Sequence, residues 1–355
     1  MRPVRGERRD DPLEVLRQCH GPKAIGGGAA RGGPGRAERA RRYDRPAVIS
    51  ATEYDLLRDA AGLVDRSSRA KLLLRGAEAA DFLQGQVTND VESLAPGTGC
   101  YAALLSHKGK VRADMRVLRG ADWIWLDTEP AAGPVLDHTI RTYGIGRDVA
   151  AEDATASRAI LSLVGPAARA ALDVEPPAAE HSFVEGEHGV YVATDLGVDV
   201  ICAADEAAAA RQALGVEEVS HEAAECLRVE SGRPRLGLDF GSETIPEEAG
   251  LNERAVSFTK GCYVGQETVA RLHYKGRPNR RLRGLRLSGP AARGEELRLG
   301  DRPVGALGSV VDSPVHGPIA LAVVRREASP GDVLEVGSAG TTAEVVDLPF
   351  ERAAP

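Results

Sequence analysis

The sequence predicts an α+β fold: two successive α+β lobes with antiparallel sheets, followed by a small C-terminal antiparallel β-barrel. Three observations predict it. Strand-like alternation and helix-like spacing of apolar residues follow one another twice between about residues 51 and 281, the helical signal vanishes at Leu282, and the later apolar runs are short and separated by Gly, Pro and Ser. A chain of 355 residues, at roughly 100 to 200 per domain, has room for two or three domains. The expected division is a Gly/Arg-rich leader over 1–50, a first lobe over 51–150, a second over 151–281 and the barrel over 282–355.

The leader holds twelve Lys and Arg, six Asp and Glu and eight glycines, too little apolar surface to fold, and is expected to be disordered. Order is expected from Ala51, where Tyr54, Leu56 and Leu57, and later Leu63 and Val64, give a helix-like spacing that ends at Gly62. Lys71 to Arg75 reads as a short strand, Gly76-Ala77-Glu78 opens a helix through Phe82 and Leu83, and Tyr101 to Leu105 is a strand. From Val111 to Leu118 the pattern alternates, with Val111, Ala113, Met115 and Val117 on one face and Arg112, Asp114 and Arg116 on the other. That polar face is expected to look towards water. Gly109 marks the hairpin turn whose other arm is Tyr101 to Ser106. Trp123 to Leu126 adds a third strand and Gly133 to Tyr143 a helix.

In the second lobe, Ile160 to Val164 is a strand, Pro166 to Leu172 a short Ala-rich helix, and Val190 to Ala193 pairs with Val198 to Cys202. Asp205 to Leu214 is a helix because Ala dominates it, and a further helix from near His221 ends in Leu227-Arg228-Val229-Glu230-Ser231-Gly232. The barrel strands are Leu282 to Leu287, Val304 to Val311, Ile319 to Val324, Val333 to Val336 and Ala343 to Leu348.

Composition narrows the function. No apolar run approaches the roughly 18 to 20 residues that span a bilayer, so no membrane association is expected. The net charge is −7, and removing the leader's +6 leaves −13 on residues 51–355, which opposes direct nucleic-acid binding except through a local patch. Cys19, Cys100, Cys202, Cys226 and Cys262 are far apart, with no CxxC pair, so neither a disulfide framework nor a metal site is expected. With no apolar secretory segment, a cytoplasmic location follows as an expectation. Walker, GxGxxG, HExxH and GxSxG patterns are missing, so phosphoryl transfer, hydride transfer and zinc or serine hydrolysis lose their support.

The densest unusual segment is Lys260-Gly261-Cys262-Tyr263-Val264-Gly265-Gln266-Glu267, followed by Thr268 to Arg271. Its glycines allow a tight bend and close approach to a ligand. Gln266 to Leu272 is helical in character, and Glu267 and Arg271 stand four apart in the favourable order for an ion pair. Cys262, near a helix N-terminus and Lys260, is the best candidate for a reactive side chain because positive potential favours thiolate; the alternative is a small packing residue. From Leu251 to Arg286 there are nine Lys and Arg and two acids, a local anion site in which Arg277, Arg280, Arg281 and Arg283 could grip phosphates or carboxylates. Arg228, near the end of its helix, is open to two readings, helix stabilisation or a ligand contact.

Lys260 to Glu267 resembles the KGCYxGQE signature of the YgfZ-type folate-binding proteins. Asp81 to Val91 (DFLQGQVTNDV), the stretch GKVRADMRV within Tyr101 to Val117, and LRVESG over Leu227 to Gly232 are similar to the wider aminomethyltransferase-like GcvT superfamily, and the resemblance spans about residues 52–350. It implies a three-lobed arrangement around a central tetrahydrofolate site and a role in iron–sulfur cluster assembly or repair, serving enzymes such as tRNA methylthiolases. Residue by residue it implies Asp114 near the reactive folate nitrogens, Arg228 on a ligand carboxylate and Cys262 as the signature thiol. Lys260, Gly261, Tyr263, Gln266, Glu267 and Arg271 would join Asp114 and Arg228 in holding the cofactor. The Tyr-Thr-Gly-Glu stretch of the glycine-cleavage transferases has its nearest counterpart in Thr194-Asp195-Leu196-Gly197, which does not reproduce it. Two further readings stay open: a folate-dependent aminomethyl (one-carbon) transferase with Asp114 as catalyst, and an RNA-binding module built on the four arginines.

Overall fold

The computed structural model describes residues 49–338 and 340–351, so the leader lies almost wholly outside the described residues, as does Cys19. Helix α1 (Ala51–Asp59), capped by Ser50, leads into β1 (Gly62–Asp65) and β2 (Ala70–Arg75), then α2 (Ala79–Gln86), β3 (Thr98–Leu105), β4 (Val111–Arg119), β5 (Ile124–Thr128), α3 (Gly133–Tyr143) and β6 (Ala150–Asp153). The second run is β7 (Arg158–Val164), a 3-10 turn (Ala168–Ala171), β8 (Phe183–Gly186), β9 (Gly189–Ala193), β10 (Gly197–Ala203), α4 (Ala207–Leu214) and α5 (His221–Glu230). Short α6 (Asn252–Ala255) and α7 (Gln266–Lys275) precede strands β11 (Arg280–Leu287), β12 (Glu296–Leu299), β13 (Arg302–Ala306), β14 (Val310–Ser313), β15 (Gly317–Arg325), β16 (Val333–Val336) and β17 (Thr341–Val346).

Three antiparallel sheets result, ordered β3-β4-β5-β2-β6, β1-β7-β10-β9-β8 and β13-β12-β16-β17-β11-β15-β14. The α+β class with a terminal barrel-like sheet is therefore as expected. Leu63 and Val64 do not continue a helix. They lie on β1, which crosses to the second sheet and pairs with β7, Gly62 opposite Val164, so the second sheet borrows a strand from the start of the chain. The Ala-rich segment after Pro166 makes one 3-10 turn only, since four residues and no side-chain cap cannot sustain an α-helix. Val304 to Val311 splits at residues 307–309, between β13 and β14; a Cβ at Gly308 would lie 2.7 Å from Asp239 Oδ1.

The first sheet has two unlike faces. Leu72, Leu74, Ala102, Leu104, Ala113, Met115, Val117 and Leu126 pack against Phe82 and Leu83 of α2 and Leu136 and Ile140 of α3. On the other face, one end carries Leu73, Leu118, Trp123 and Trp125 against Ile160, Phe183, Val190 and Ile201 of the second lobe, and the other end carries Ala103, Leu105 and Val111 against Phe240, Leu251 and Val269. Between these two apolar ends runs a stripe of charge. The barrel sheet docks on α5: Ile319 and Leu321 of β15 meet Val229 and Phe350, while Ala320, Ala322 and Val324 face the barrel interior. A strand buried on both faces needs apolar residues at successive positions, which is why Ile319 to Val324 reads as an unbroken run.

Candidate functional site at the junction of the three lobes

The stripe is set by strand register. Tyr101 lies opposite Arg116, Arg116 opposite Asp127, and Asp127 opposite Lys71, one row across β3, β4, β5 and β2. Asp127 accepts hydrogen bonds from Arg69 Nε (2.7 Å), Arg116 Nε (2.7 Å) and Trp125 Nε1 (3.0 Å). Burial would raise its pKa, but Arg116 and Arg69 outweigh burial and hold the carboxyl well below the usual range. Arg116 also reaches Asp199 on β10 at 2.6 Å, and Asp199 accepts from Ser162 at 2.5 Å, which ties the first sheet to the second.

Asp114 stands on the next row, opposite Ala103. Only 5% of it is exposed, so the expectation of a water-facing strand surface fails for Asp114 and for Arg116: a second layer of protein covers that face. The Tyr101 hydroxyl donates to Asp114 Oδ2. Burial raises the Asp114 pKa, the Tyr101 bond and Arg69 oppose the rise, and the net direction is upward. The Tyr101 hydroxyl is pushed well above its ordinary value by burial and then by the Asp114 charge.

The opposite wall comes from the second lobe and from the segment after α5. The Arg254 guanidinium lies 5.3 Å from the Tyr101 ring centroid, pairs with Glu180 and sits 3.8 Å from Asp195, which also binds Arg233 Nε at 2.8 Å. His181 is enclosed beside them, with its backbone at φ +67°. Asp195 also lines an open cleft of about 580 Å³ walled by Leu57, Pro166, Leu196, Leu227 and Phe350, with Arg58 and Arg169 supplying positive charge. A second concavity of about 710 Å³ lies between residues 237–244 and the barrel sheet, away from Asp114 and Cys262. Among the described residues no group of three or more His, Cys, Asp and Glu side chains is placed to hold a metal ion.

Arg228 is buried and its donors are committed. Nε and Nη2 bind Glu225 (3.0 Å each), Nη1 binds Asp239 (2.9 Å) and the Arg233 carbonyl, and Nη2 binds Ser309 (2.6 Å). Four hydrogen bonds and the ion pair of Nη2 with Glu225 engage every nitrogen of the guanidinium, joining α5, the 233–239 loop and the barrel sheet. The expected contact of Arg228 with a ligand carboxylate is therefore not available in this arrangement; its carboxylates are Glu225 and Asp239. Glu225 in turn pairs with Arg235 at 3.1 Å, and Arg235 with Glu129 at 3.0 Å, so the ionic chain returns to Arg69, which binds Glu129 at 3.0 Å. Burial opposes ionisation of Glu225, yet Arg228 and Arg235 hold its pKa down to about 2.

The KGCYVGQE segment lies at the β3–β4 hairpin end of the first sheet. Lys260 Nζ donates to the carbonyls of Gln84 (2.6 Å), Val87 (2.8 Å) and Asn89 (2.9 Å), capping the C-terminus of α2 with all three of its protons. In this arrangement Lys260 holds the turn. Gly265, at φ +84°, packs on the hairpin: a Cβ there would overlap the Ser106 carbonyl and approach Leu105, whereas one at Gly261 meets nothing within 4 Å. The expected close ligand approach thus falls on the chain itself. Tyr263 N donates to Gln266 Oε1 at 3.3 Å, and Tyr263 lies with its ring 5.2 Å from Lys260 Nζ. Cys262 is exposed on the turn, and Glu267 and Arg271 are exposed without forming the expected ion pair. Of the four arginines, Arg280 pairs with Glu248 and Arg283 with Asp347, while Arg277 and Arg281 are exposed.

Arg69, Tyr101, Arg116, Asp127, Glu129, His181, Asp195 and Arg254 were not singled out as site residues by their sequence positions. A signal was present for some: Asp114 and Arg116 alternate with apolar residues along one strand, and Asp127 lies near the end of another with Glu129 just past it.

Residues 24–185 match the family model of the GCVT N-terminal domain. The chain is 28% identical over 342 residues to an aminomethyltransferase of Geobacillus kaustophilus (strain HTA426), covering 88% of this chain and 93% of the relative. The glycine cleavage system aminomethyltransferase T from Bartonella henselae superposes with a TM-score of 0.76 at 22% identity, covering 88% and 96% of the two chains, which shows the shared fold. The chain is thus similar to the GcvT-like proteins in its fold and in its first 185 residues. Two further relatives, from Shigella boydii serotype 4 (strain Sb227) and Escherichia coli O139:H28, are each 29% identical over 297 residues, 78% of this chain and 89% of theirs, and carry the name tRNA-modifying protein YgfZ. Together with the KGCYVGQE segment they point to a branch: the chain is similar to the YgfZ-type members of the GcvT-like proteins.

Two outcomes follow from this geometry. Gly265→Ala should destabilise the fold by about 2 kcal/mol or more in urea unfolding, and Gly261→Ala by less than about 1 kcal/mol, because only Gly265 combines a left-handed backbone with backbone contact. Asp114→Asn should raise Tm at pH 7. A carboxyl whose folded pKa is raised contributes stability only while protonated and loses it as pH rises, so the advantage of Asn should disappear on acidification below about pH 4.

Proposed function

We propose that the protein is a tetrahydrofolate-binding factor that supports iron–sulfur cluster assembly or repair, and through it the maturation of enzymes such as tRNA methylthiolases. The observation that carries this reading is the buried Asp114–Tyr101 couple, enclosed at the meeting of three lobes with cationic side chains around it. Reduced folate combines a flat, hydrogen-bonding pterin with an anionic tail, and it supplies, when bound, the nitrogens that carry a one-carbon unit. The residues present fit such a group. Buried Arg116 Nη2, Arg254 Nε and both His181 nitrogens have no hydrogen-bond partner among the described residues, and the neighbouring cleft, about 580 Å³, lies within the roughly 300–1,000 Å³ of small-molecule sites. In this reading Arg254 orients the ring beside Tyr101, Asp114 holds or releases a proton at its carboxyl, and Arg58 and Arg169 face the tail. Lys260, Gly265 and Gln266 fix the turn that presents Cys262 at the surface, where an iron–sulfur client enzyme in the cytoplasm can reach the thiol.

Aminomethyl transfer is a second reading, favoured by one observation: burial raises the pKa of Asp114, which suits a general acid or base. It is separated from the first by turnover. In calorimetric titration, tetrahydrofolate should bind saturably, and Asp114→Asn should weaken it at least tenfold while the protein stays folded. Cells lacking the protein should show lowered activity of iron–sulfur enzymes that Cys262→Ser fails to restore. Tight binding by the Asn variant would remove Asp114 from the site, full rescue by the Ser variant would reduce Cys262 to packing, and turnover of an aminomethyl donor would favour the transferase.

A further inference from the structure

His181 is the single described non-glycine residue with positive φ. For a residue with a Cβ this conformation is strained and persists only where surroundings enforce it. They do so from both lobes. His181 N donates to Ala193 O (2.8 Å), Ser182 N to Ala179 O (3.0 Å) and Phe183 N to Gly97 O (2.8 Å), while the His181 carbonyl fits against Gly99 so closely that a Cβ there would lie 3.0 Å from it. The strained backbone aims an imidazole into the junction. Its side chain is 12% exposed, and neither ring nitrogen has a hydrogen-bond partner among the described residues. The nearest acid, Glu180 Oε1 at 3.6 Å, is already engaged by Arg254. Burial, then the positive fields of Arg116 and Arg254, lower the His181 pKa to about 3, so the ring stays neutral at physiological pH and presents one donor and one acceptor.

Two other unpartnered polar atoms belong to the same surroundings, Arg116 Nη2 on a side chain 7% exposed and Arg254 Nε. A buried polar atom without a partner is costly, so three side chains from three segments with such atoms are arranged to receive a partner from outside the chain. The inventory selects among occupants. Two guanidinium donors and one imidazole donor call for acceptor oxygen or nitrogen, and the imidazole lone pair calls for an N–H. A carboxylate satisfies the donors and leaves that lone pair facing an anion. A cyclic amide, with N–H beside C=O, satisfies both.

We infer that His181 is a specificity-determining residue that reads the N–H/C=O edge of a lactam-bearing heterocycle, with Arg116 and Arg254 as its co-donors. This rests on the folate reading only in that the pterin is the lactam then present. The test uses the full chain and its His181→Asn and His181→Leu variants, with binding read by calorimetry and by the ¹⁵N resonances of the His181 ring. The probes are tetrahydrofolate, 6-methyltetrahydropterin, p-aminobenzoylglutamate and guanosine. Expected is a loss of at least tenfold for tetrahydrofolate and 6-methyltetrahydropterin in the Leu variant, a smaller loss in the Asn variant, which tolerates the left-handed backbone, and a shift of the wild-type ring resonances. Binding of p-aminobenzoylglutamate should be unchanged. Equal loss for p-aminobenzoylglutamate would overturn the inference in favour of a tail contact or fold damage. Ring resonances that no lactam moves would leave the atoms to water and overturn it as well. Guanosine binding without folate binding would sink the folate reading while sustaining His181, whereas folate binding indifferent to His181 would do the reverse.

Discussion

Charge buried between lobes governs this molecule. Asp127, Glu129, Asp199, Glu225 and Asp239 come from strands, a helix and a loop of different regions, and each is held by arginine: Arg69 and Arg116 on Asp127, Arg235 on Glu129 and Glu225, Arg116 on Asp199, Arg228 on Glu225 and Asp239. Taking such groups out of water costs several kcal/mol apiece, and only close, well-oriented pairing offsets it. The network therefore permits little freedom in how the lobes meet, since a shift of an ångström or two would leave several charges uncompensated at once.

Within that constraint the exceptions are informative. Asp114 has a hydroxyl for a partner rather than a cation, and its ionised form is disfavoured; His181 has no hydrogen-bond partner; Arg116 and Arg254 each keep an atom in reserve. The acids of the network are matched by arginine, and buried Glu230 by the hydroxyls of Tyr54 and Ser313, whereas these groups keep unmatched atoms, which in the folate reading a ligand would satisfy. Arg228 is the contrary case. Each nitrogen of its guanidinium is engaged, so it holds the 233–239 loop and the barrel in place.

The KGCYVGQE segment divides between scaffold and surface. Lys260 caps α2, Gly265 allows contact with the hairpin, and Gln266 closes the turn on Tyr263, while Cys262 stays exposed. The thiol and the buried carboxylate are thus presented to different environments, Asp114 to the junction and Cys262 to whatever approaches from outside.

Much was legible in the chain. Period-two alternation along Val111 to Leu118, the apolar run from Ile319 to Val324 and the Ala-rich stretch before Leu214 identified their elements, because those patterns report how many faces are buried, although a bulge turns Val111 to the face opposite Ala113, Met115 and Val117. The KGCYVGQE, GKVRADMRV and LRVESG stretches pointed to the branch that the relatives bear out. Tertiary structure decided what lies opposite each polar side chain. Alternation says that Asp114 and Arg116 share a face; it does not say that a second lobe covers that face, that Arg228 meets Glu225 and Asp239 before any ligand, or that β1 crosses to another sheet. The physical reason is range: periodicity is set by backbone geometry within a few residues, whereas the partner of a buried charge is chosen by segments as far apart as Arg116 and Asp199.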